Sequence, residues 1–347
     1  MPARHRTVPT LATVAQAAGV SRQTVSNALN SPHLLRADTL SRVQQAIDRL
    51  GYTPNRAARN LRTRSSHQVG LRLEPAPEGA ASGLMDRFLH TLVDSCKGAG
   101  LHVLLFTPED VNDPLDGYPE LLASRAVDAF VVTDTYRGNP QAAWLEQRQV
   151  PFVAFGRPWD EPNATHPWVD VDGRAGAALA VDHLADRGHT RIAWIGWQKT
   201  SRIGEDRRSG WVDRMHDRGL STSRLSARGE DTIEYGRRAA HALLDNEGGS
   251  PDDAPTGFVC ASDTVAMGAL QALADRGLRP GPGGVAVVGF DDSVAAQVVP
   301  PGLTSVRQPL EEVAVQVVRL LTDRLGLRSS EPPHVILVPD LSIRGTS

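Results

Sequence analysis

Polar side chains with the chemistry to read DNA bases are concentrated in the segment SRQTVSNALN, residues 21–30. Arg22 can donate two parallel hydrogen bonds to guanine, and Gln23 and Asn27 can each make a similar two-bond pair with adenine. Shorter side chains that suit contacts with phosphate oxygens lie among them: Ser21, Thr24, Ser26 and Asn30. The segment therefore has the residue types of a surface that recognises a base sequence.

The apolar residues around this segment predict the helices that position it. Thr10 can cap a first helix, and Gly19 ends that helix because glycine readily adopts a positive φ. Ser21 can cap a second helix that carries the polar segment on its outer side, and a third helix is predicted over 37–50. The residues expected to face the interior recur at helical spacing: Leu11, Val14, Ala15, Ala18, Val20, Val25, Ala28, Leu29, Leu40, Val43, Ile47 and Leu50.

Two short helices joined by a glycine turn, the second with a polar outer face, are typical of helix-turn-helix proteins. A plain three-helix bundle is the alternative, but it gives no reason for the base-reading side chains on one face. Residues 1–66 contain ten arginines and two acids, a net charge of +8, so the rest of the chain carries −11 within a total of −3. A basic head on an acidic body attracts phosphate at one end only, which favours DNA as the partner.

The next segment, GYTPNRAARNLRTR, is basic and predicts either a hinge or an ordinary charged linker. Pro54 prevents the third helix from continuing. Residues 56–62 can form about two helical turns, too few to be stable alone in water, so a helix there would form only on DNA. Leu61 would then be placed to wedge between base pairs in the minor groove. The residues alone leave both interpretations open.

Beyond residue 66, short apolar runs alternate with helical stretches, which predicts parallel sheets flanked by helices. The length of this region is enough for two such lobes, and a ligand would bind in the cleft between them, at the carboxyl ends of the strands. The predicted strands are 69–73, 101–106, 129–133, 152–155, 191–196, 257–260, 285–290 and 335–338. The predicted fold class is thus an all-α helix-turn-helix head followed by a two-lobed α/β core with parallel sheets.

The chain resembles the lactose/galactose (LacI/GalR) repressor family of bacterial transcriptional regulators through three motifs in order: VAQAAGVSRQTVSNALN, GYTPNRAARNL and VAVVGFDD. The resemblance covers almost the whole chain and is most specific in the head. It implies a homodimer whose recognition helices enter successive major grooves of a palindromic operator, with paired hinge helices in the minor groove between them. It adds six residues outside the second helix to the set expected to bind DNA: Thr10, Tyr52, Asn55, Ala58, Arg59 and Leu61.

One residue of the head departs from the family pattern. Thr13 stands where family members often carry an acid that completes a capping box with Thr10. We therefore expect the first helix to begin slightly less firmly than in those relatives.

The resemblance also implies the domain boundaries. The head would span 1–54, the hinge helix and linker 55–66, and a periplasmic-binding-protein-like core 67–347. The chain would cross between the lobes near Pro162, Ser293 and Leu325. This division gives an N-lobe of 67–162 and 293–325 and a C-lobe of 163–292 and 326–347.

Five residues are expected to bind the effector. The family positions that match Asp291 and Arg207 contact the effector, and a carboxylate that accepts two hydroxyl donors suits a sugar. Turn formation for Asp291 and surface solvation for Arg207 are the alternatives. Ser262 and Asp263 follow a predicted strand and either line the cleft or cap a helix, and Arg157 follows another strand.

The identity of the effector stays open in the sequence. Asp231 stands where many family members place an aromatic residue under the effector. Indole rings can stack on the apolar face of a pyranose, and four of the six tryptophans are predicted in loops or at strand ends: Trp159, Trp168, Trp197 and Trp211. Ordinary packing is the alternative for each of them.

The sequence predicts no catalytic residue, no metal site and no cofactor. It contains no nucleophile elbow, phosphate-binding loop, HExxH motif or metal-spaced cluster of cysteine and histidine. Its two cysteines, Cys96 and Cys260, are expected to be reduced and buried. No signal sequence and no apolar run of about 20 residues is present, so a cytoplasmic protein without a membrane partner is expected.

These observations together predict a repressor that a small sugar releases from its operator. An effector that bridges the lobes would change their relative angle, separate the two hinges and so release the DNA. A corepressor that promotes DNA binding is the main alternative. A cytoplasmic sugar-binding protein and an architectural DNA-binding protein are further alternatives, which the basic head and the two-lobed body respectively argue against.

Overall fold

The computed structural model describes residues 9–53, 65–73, 83–133, 135–136, 138–159, 161, 163–245, 254–326 and 333–347. Contacts between residues divide the chain into two units, Met1–Ser65 and Ser66–Ser347. The first unit contains the helices of the head. The second contains both lobes of the core.

The head consists of α1 (Leu11–Ala18), α2 (Arg22–Asn30) and α3 (Ala37–Leu50), with one turn of 3₁₀ helix at Pro32–Leu34. Gly19 ends α1 with a φ of 63°, a left-handed conformation that glycine adopts without strain. The three predicted helices and the glycine turn are confirmed. The buried apolar residues of the head form one cluster: Val14, Ala15, Ala18, Val25, Val43, Ala46 and Tyr52.

The start of α1 is capped more completely than the sequence suggests. The Thr10 hydroxyl accepts the N–H of Thr13 at 3.3 Å, and the Thr13 hydroxyl accepts the N–H of Thr10 at 2.8 Å. The capping box is therefore complete with a threonine in the place of the acid. The expectation that the box is incomplete was wrong, because the shorter hydroxyl side chain reaches the same backbone donor, and the threonine lacks only the negative charge of an acid.

The N-lobe is built on a six-stranded sheet whose strands all pair in parallel. Its strands are β1 (Gln68–Arg72), β2 (His102–Phe106), β3 (Ala129–Val132), β4 (Phe152–Phe155), β5 (Trp168–Val171) and β11 (His334–Leu337). Their order across the sheet is β11-β5-β4-β3-β1-β2. The helices of this lobe are α4 (Leu84–Gly98), α5 (Tyr118–Ala123), α6 (Pro140–Gln147) and α12 (Leu310–Gly326). Buried residues of α4 and α12 share one apolar core with the sheet.

The C-lobe contains a second six-stranded sheet in the order β12-β10-β9-β8-β6-β7. Its strands are β6 (Ile192–Trp197), β7 (Ser226–Gly229), β8 (Gly257–Cys260), β9 (Ala286–Phe290), β10 (Thr304–Arg307) and β12 (Asp340–Ser342). Only the β10–β12 pair of this sheet is antiparallel. The helices of this lobe are α7 (Gly173–Ala185), α8 (Arg202–Asp217), α9 (Ile233–Asp245), α10 (Asp263–Asp275) and α11 (Val294–Val298).

Strand pairing places all three lobe crossings later in the chain than expected. β5 pairs with β4 and β11, so the N-lobe continues to Val171 and the first crossing is not near Pro162. β10 pairs with β9, which keeps residues 304–307 in the C-lobe and moves the second crossing from Ser293 to 308–309. β11 returns to the N-lobe sheet, so the third crossing lies at 338–339 and not near Leu325. The N-lobe is accordingly 66–171 and 310–337, and the C-lobe is 173–307 and 340–347.

Candidate DNA-reading helix and effector cleft

The polar segment of the head lies on α2, directly above the fully buried Val25. Ser21 caps this helix, and its Oγ accepts the N–H of Thr24 at 3.1 Å. Arg22 and Gln23 are exposed in the first turn. The same helix is thus anchored through its apolar side while its long polar side chains remain available to a partner.

Two of the predicted base-reading residues are already joined on this surface. Gln23 Nε2 donates to Asn27 Oδ1 at 3.0 Å, which places the two amides one helical turn apart on the same side of α2. This bond leaves the side-chain oxygen of Gln23 and the side-chain NH₂ group of Asn27 to pair with a base edge. Asn30 Nδ2 donates to the Ser26 carbonyl at 2.6 Å, so Asn30 also ties down the end of the helix.

Of the six other residues expected to contact DNA, the structure describes two, Thr10 and Tyr52. Thr10 is exposed at the start of α1. Tyr52 packs in the core of the head and is 9% exposed, so its ring serves the fold. The hinge residues lie outside the described residues, and the structure neither supports nor opposes their predicted roles: Asn55, Ala58, Arg59 and Leu61.

The core contains a chamber of about 220 Å³ between its lobes, at the carboxyl ends of strands from both sheets. We call it the inner chamber. Its apolar lining includes Leu84, Met85, Phe155, Trp159, Val171, Ile203 and Phe290. Its polar lining includes Thr133, Thr135, Asp170, Asp206, Arg207 and Gln308. Apolar walls with a few convergent polar groups are typical of sites for small molecules.

Arg207, on α8, is buried in the wall of the inner chamber at 5% exposure. Its guanidinium lies over Phe290, 3.6 Å from the ring centroid, and its Nη1 donates to the Ala261 carbonyl at 2.6 Å. Its Nη2 is 3.7 Å from Asp291 Oδ1. Its Nε has no hydrogen-bond partner among the described residues. Leaving a buried N–H unpaired is costly.

Asp291 follows β9 and is buried beside Arg207. Gln308, at the second lobe crossing, donates its Nε2 to Asp291 Oδ1 at 2.7 Å. Burial raises the pKa of Asp291 to about 7, although the charge of Arg207 opposes the rise. Asp291 also lines a second interlobe cavity of about 690 Å³, which shares Leu84 with the inner chamber. Of the five predicted effector residues, Arg207 and Asp291 are thus brought together in the cleft.

Ser262 caps a helix, and Asp263 binds neighbouring strand ends, so neither lines the cleft as predicted. Ser262 caps α10, where its Oγ accepts the N–H of Val265 at 3.2 Å, and it donates to Asp231. Asp263 accepts the Ser305 hydroxyl at 2.6 Å and the N–H of Ser293 at 2.7 Å. Neither residue lines either cavity. Their hydrogen bonds instead join the strand ends of the C-lobe to one another.

Arg157 lies behind the inner chamber and does not line it. Its Nε donates to Asp170 on β5, and its Nη2 lies 3.5 Å from the Val171 carbonyl and 3.8 Å from Asp206 on α8. Its guanidinium is also 4.8 Å from the ring centroid of Trp159. The structure therefore places Arg157 as a support for the residues that do line the chamber.

Sequence reasoning missed five polar residues of the inner chamber: Thr133, Thr135, Asp170, Asp206 and Gln308. Asp170 lies on β5, a strand that the apolar runs did not reveal because acidic and apolar residues alternate in WVDV. Asp206 immediately precedes Arg207 on α8, and Gln308 follows β10 at a lobe crossing. The alternation in WVDV was the one available signal, since it has the period of a strand with one face buried.

The described residues also bear on metal and membrane sites. They contain no group of three or more histidine, cysteine, aspartate or glutamate side chains arranged to hold a metal ion. Within the same residues, no helix combines the length and apolar character that crossing a bilayer requires. Cys96 and Cys260 are free and buried, and burial raises the pKa of both thiols.

Comparison with known proteins agrees with both parts of the chain. The family model of bacterial regulatory proteins of the lacI family matches residues 10–55, and that of the periplasmic binding protein-like domain matches residues 181–347. The HTH-type transcriptional regulator CelR of Thermobifida fusca is 34% identical to this chain over 98% of each sequence.

Solved structures match the same architecture. A regulatory protein of the LacI family from Chloroflexus aggregans is 36% identical with a TM-score of 0.76, over 81% of this chain and 98% of that one. The complex of the regulator CelR with cellobiose is 30% identical with a TM-score of 0.72, over 98% of this chain and 100% of that one. The helix-turn-helix head, the two-lobed core and these matches lead to one conclusion. The chain belongs to the LacI family of bacterial transcriptional regulators.

Proposed function

We propose that this DNA-binding regulator is a repressor that binds a palindromic operator as a homodimer and dissociates from it when a small sugar binds in the inner chamber. The observation that carries the DNA-binding half is α2, whose buried Val25 fixes the helix while Arg22 and Gln23 remain exposed. Symmetric pairs of such helices read half-sites about one helical turn apart. Acting on chromosomal DNA, the protein would work in the bacterial cytoplasm.

The lining of the inner chamber supports a sugar as the effector. Asp170 and Asp206 supply carboxylate oxygens that can accept hydroxyl donors, and Arg207 places a guanidinium in the same wall. Trp159 and Phe290 supply flat apolar surface of the kind on which pyranose rings stack. The relative CelR binds cellobiose, which favours the same chemical class here.

Release follows if the sugar prefers one arrangement of the lobes. A ligand shifts an equilibrium only by its difference in affinity for the two states, typically about 1–3 kcal/mol of coupling. In this proposal the favoured arrangement separates the two hinges of the dimer, and Leu61 is withdrawn from the minor groove. A corepressor would favour the opposite arrangement with the same chamber.

Selection from a pool of random duplexes with the full-length protein identifies the operator. The proposal predicts that a palindrome is enriched. Fluorescence anisotropy on the selected duplex, with a panel of mono- and disaccharides that includes cellobiose, then shows the sign of control. Weaker DNA binding with one sugar supports an inducer, whereas tighter binding identifies a corepressor and overturns release by the ligand.

The same experiment separates the remaining alternatives. Enrichment of no sequence, together with tight sugar binding, would identify a sugar-binding protein without a regulatory role. Binding to all duplexes with equal strength and no response to any sugar would identify an architectural DNA-binding protein.

A further inference from the structure

Arg157 joins the two lobes of the core through a pair of carboxylates. It follows β4 in the N-lobe and donates to Asp170 on β5 of the same lobe. Its Nη2 lies 3.8 Å from Asp206, which belongs to α8 of the C-lobe. Among the ion pairs between two described residues, the Arg157–Asp206 pair alone connects the N-lobe with the C-lobe.

This ion pair is shielded from solvent more than surface pairs are. The side chains of Arg157, Asp170 and Asp206 are 23%, 13% and 18% exposed. Burial raises the pKa of Asp206, and the nearby carboxylates of Asp172 and Asp170 raise it further, whereas Arg157 lowers it. Without the guanidinium, these carboxylates would lie close together with less positive charge to offset them, so removing Arg157 should cost more than breaking an exposed ion pair.

The same guanidinium supports the wall of the inner chamber. It lies 4.8 Å from the ring centroid of Trp159. Trp159, Asp170 and Asp206 all line the chamber, while Arg157 does not. The guanidinium therefore contacts chamber-lining residues of both lobes, so a movement that lengthens the Arg157–Asp206 distance also separates the two walls of the chamber.

We propose that Arg157 is a positioning residue that holds the lobes together and thereby couples lobe closure to the shape of the inner chamber. An interaction made in only one arrangement of the lobes raises the population of that arrangement. A ligand that needs the closed arrangement then binds more tightly in proportion to the closed fraction. The identity of that ligand rests on the proposed function. The Arg157–Asp206 contact between the lobes, however, requires neither DNA nor sugar.

Distance measurements between the lobes test this role directly. Spin labels are placed at the exposed positions Asp94 in the N-lobe and Ser223 in the C-lobe by cysteine substitution. The labelled full-length protein is mixed with an excess of unlabelled protein, so that most assemblies carry a single labelled subunit. Cys96 and Cys260 are buried and should not take the label. No DNA and no sugar is present.

We expect Arg157→Gln and Asp206→Asn each to broaden the distance distribution, with an about two-fold or larger loss in the ratio of closed to open molecules. The distribution of the double variant should be no broader than that of the wider single variant, because both changes remove the same contact between the lobes. Asp213→Asn is the matched control, since Asp213 lies on the same helix and pairs at 2.9 Å with Arg174 inside the C-lobe. Asp213→Asn should keep the distance distribution of the unmodified protein. Asp206→Glu, which retains the charge, should stay closer to that distribution than Asp206→Asn.

Unchanged distributions in both single variants, or effects that simply add in the double variant, would overturn the proposal. A merely destabilised fold would lower the melting temperature, so all variants are compared at matched folded fraction by circular dichroism. The measurement contains neither DNA nor sugar. A negative result would therefore not affect the proposed operator and effector, and failure to find an operator or effector would not affect the role of Arg157.

Discussion

Neighbouring residues of the same type serve different purposes in this protein. Asp291 and Asp292 stand together after β9 and look equivalent in the sequence. Both line the second interlobe cavity, but Asp291 lies beside Arg207 and Gln308, whereas Asp292 pairs with Arg344 at 2.6 Å and accepts the Ser342 hydroxyl. Both have positive φ values, 109° and 50°, so the backbone turn sends the two side chains to different partners.

The buried Asp291 makes the stability of the core depend on pH. Its pKa is raised to about 7 by burial, so the folded state holds the proton more firmly than the unfolded chain. The contribution of protonated Asp291 to the free energy of unfolding is therefore fully present below about pH 4. It is lost as the pH rises through about 7, by an amount on the order of 4 kcal/mol. Asp291→Asn should lack this part of the pH dependence. Urea unfolding of both proteins between pH 4 and 8 gives the difference, and parallel curves would contradict the assignment.

Arg22 should read one base position. Replacing it by alanine removes two donors to guanine, which costs about 1–3 kcal/mol and relaxes the preference at a single position of each half-site. Arg49→Ala is the control, because Arg49 is exposed on α3 outside the DNA-reading helix. Binding of both variants to a set of single-base operator changes is the measurement. A uniform loss over every duplex in the Arg22 variant would assign the residue to phosphate instead.

At the scale of the elements, the head was the most predictable part of the chain. Its helices carry their own signals, namely Ser21 and Thr10 as caps, Gly19 as a stop and apolar residues at helical spacing. Two features of the head were not predicted, because they depend on where a side chain points: the Thr13 hydroxyl completes the capping box, and the Tyr52 ring packs in the core.

The core was predictable in class but not in its boundaries. Central strands such as β8 and β9 are buried on both faces and are continuous apolar runs, so they were found. β5 lies on one side of the N-lobe sheet and fully buries only alternate residues, so it lacks that signal, whereas β11 was predicted over 335–338. The lobe crossings depend on which sheet each strand joins, and local sequence does not specify that.

The capping box of α1 can be tested by exchange at Thr13. Thr13→Val removes the hydroxyl that accepts the Thr10 N–H, so the opening free energy of α1 should fall by about 0.5–2 kcal/mol. Thr13→Glu should retain the reciprocal bond and gain from the helix dipole. Hydrogen exchange of the α1 amides in the full-length protein reports both. Equal protection in all three proteins would show that the box contributes nothing.

The contact between α7 and α8 depends on a residue without a side chain. A Cβ at Gly210 would lie 2.0 Å from the carbonyl oxygen of Arg174, which is backbone and cannot rotate away. Gly210→Ala should therefore force the helices apart and destabilise the core by about 1–3 kcal/mol or more. Gly98→Ala is the control, because a Cβ there meets nothing within 4 Å. The urea midpoints should fall for the first variant only, and a neutral Gly210→Ala would refute the close packing.

The whole molecule combines a basic head with an acidic core. The net charge of +8 in residues 1–66 against −11 in the remainder orients the protein towards DNA through one end. The interlobe chamber lies in the other unit, so the two functions occupy separate parts of the chain.

The central claim is that the α2 surface, as half of a symmetric pair, recognises a base sequence. Footprinting of fragmented genomic DNA from the source organism with the full-length protein tests it most directly, with Gln23→Ala and Asn27→Ala variants alongside. We predict protection of a palindrome whose half-sites lie about one helical turn apart, lost or altered in base preference in both variants. Protection without a palindrome, or the same protected sites in all three proteins, would contradict the account.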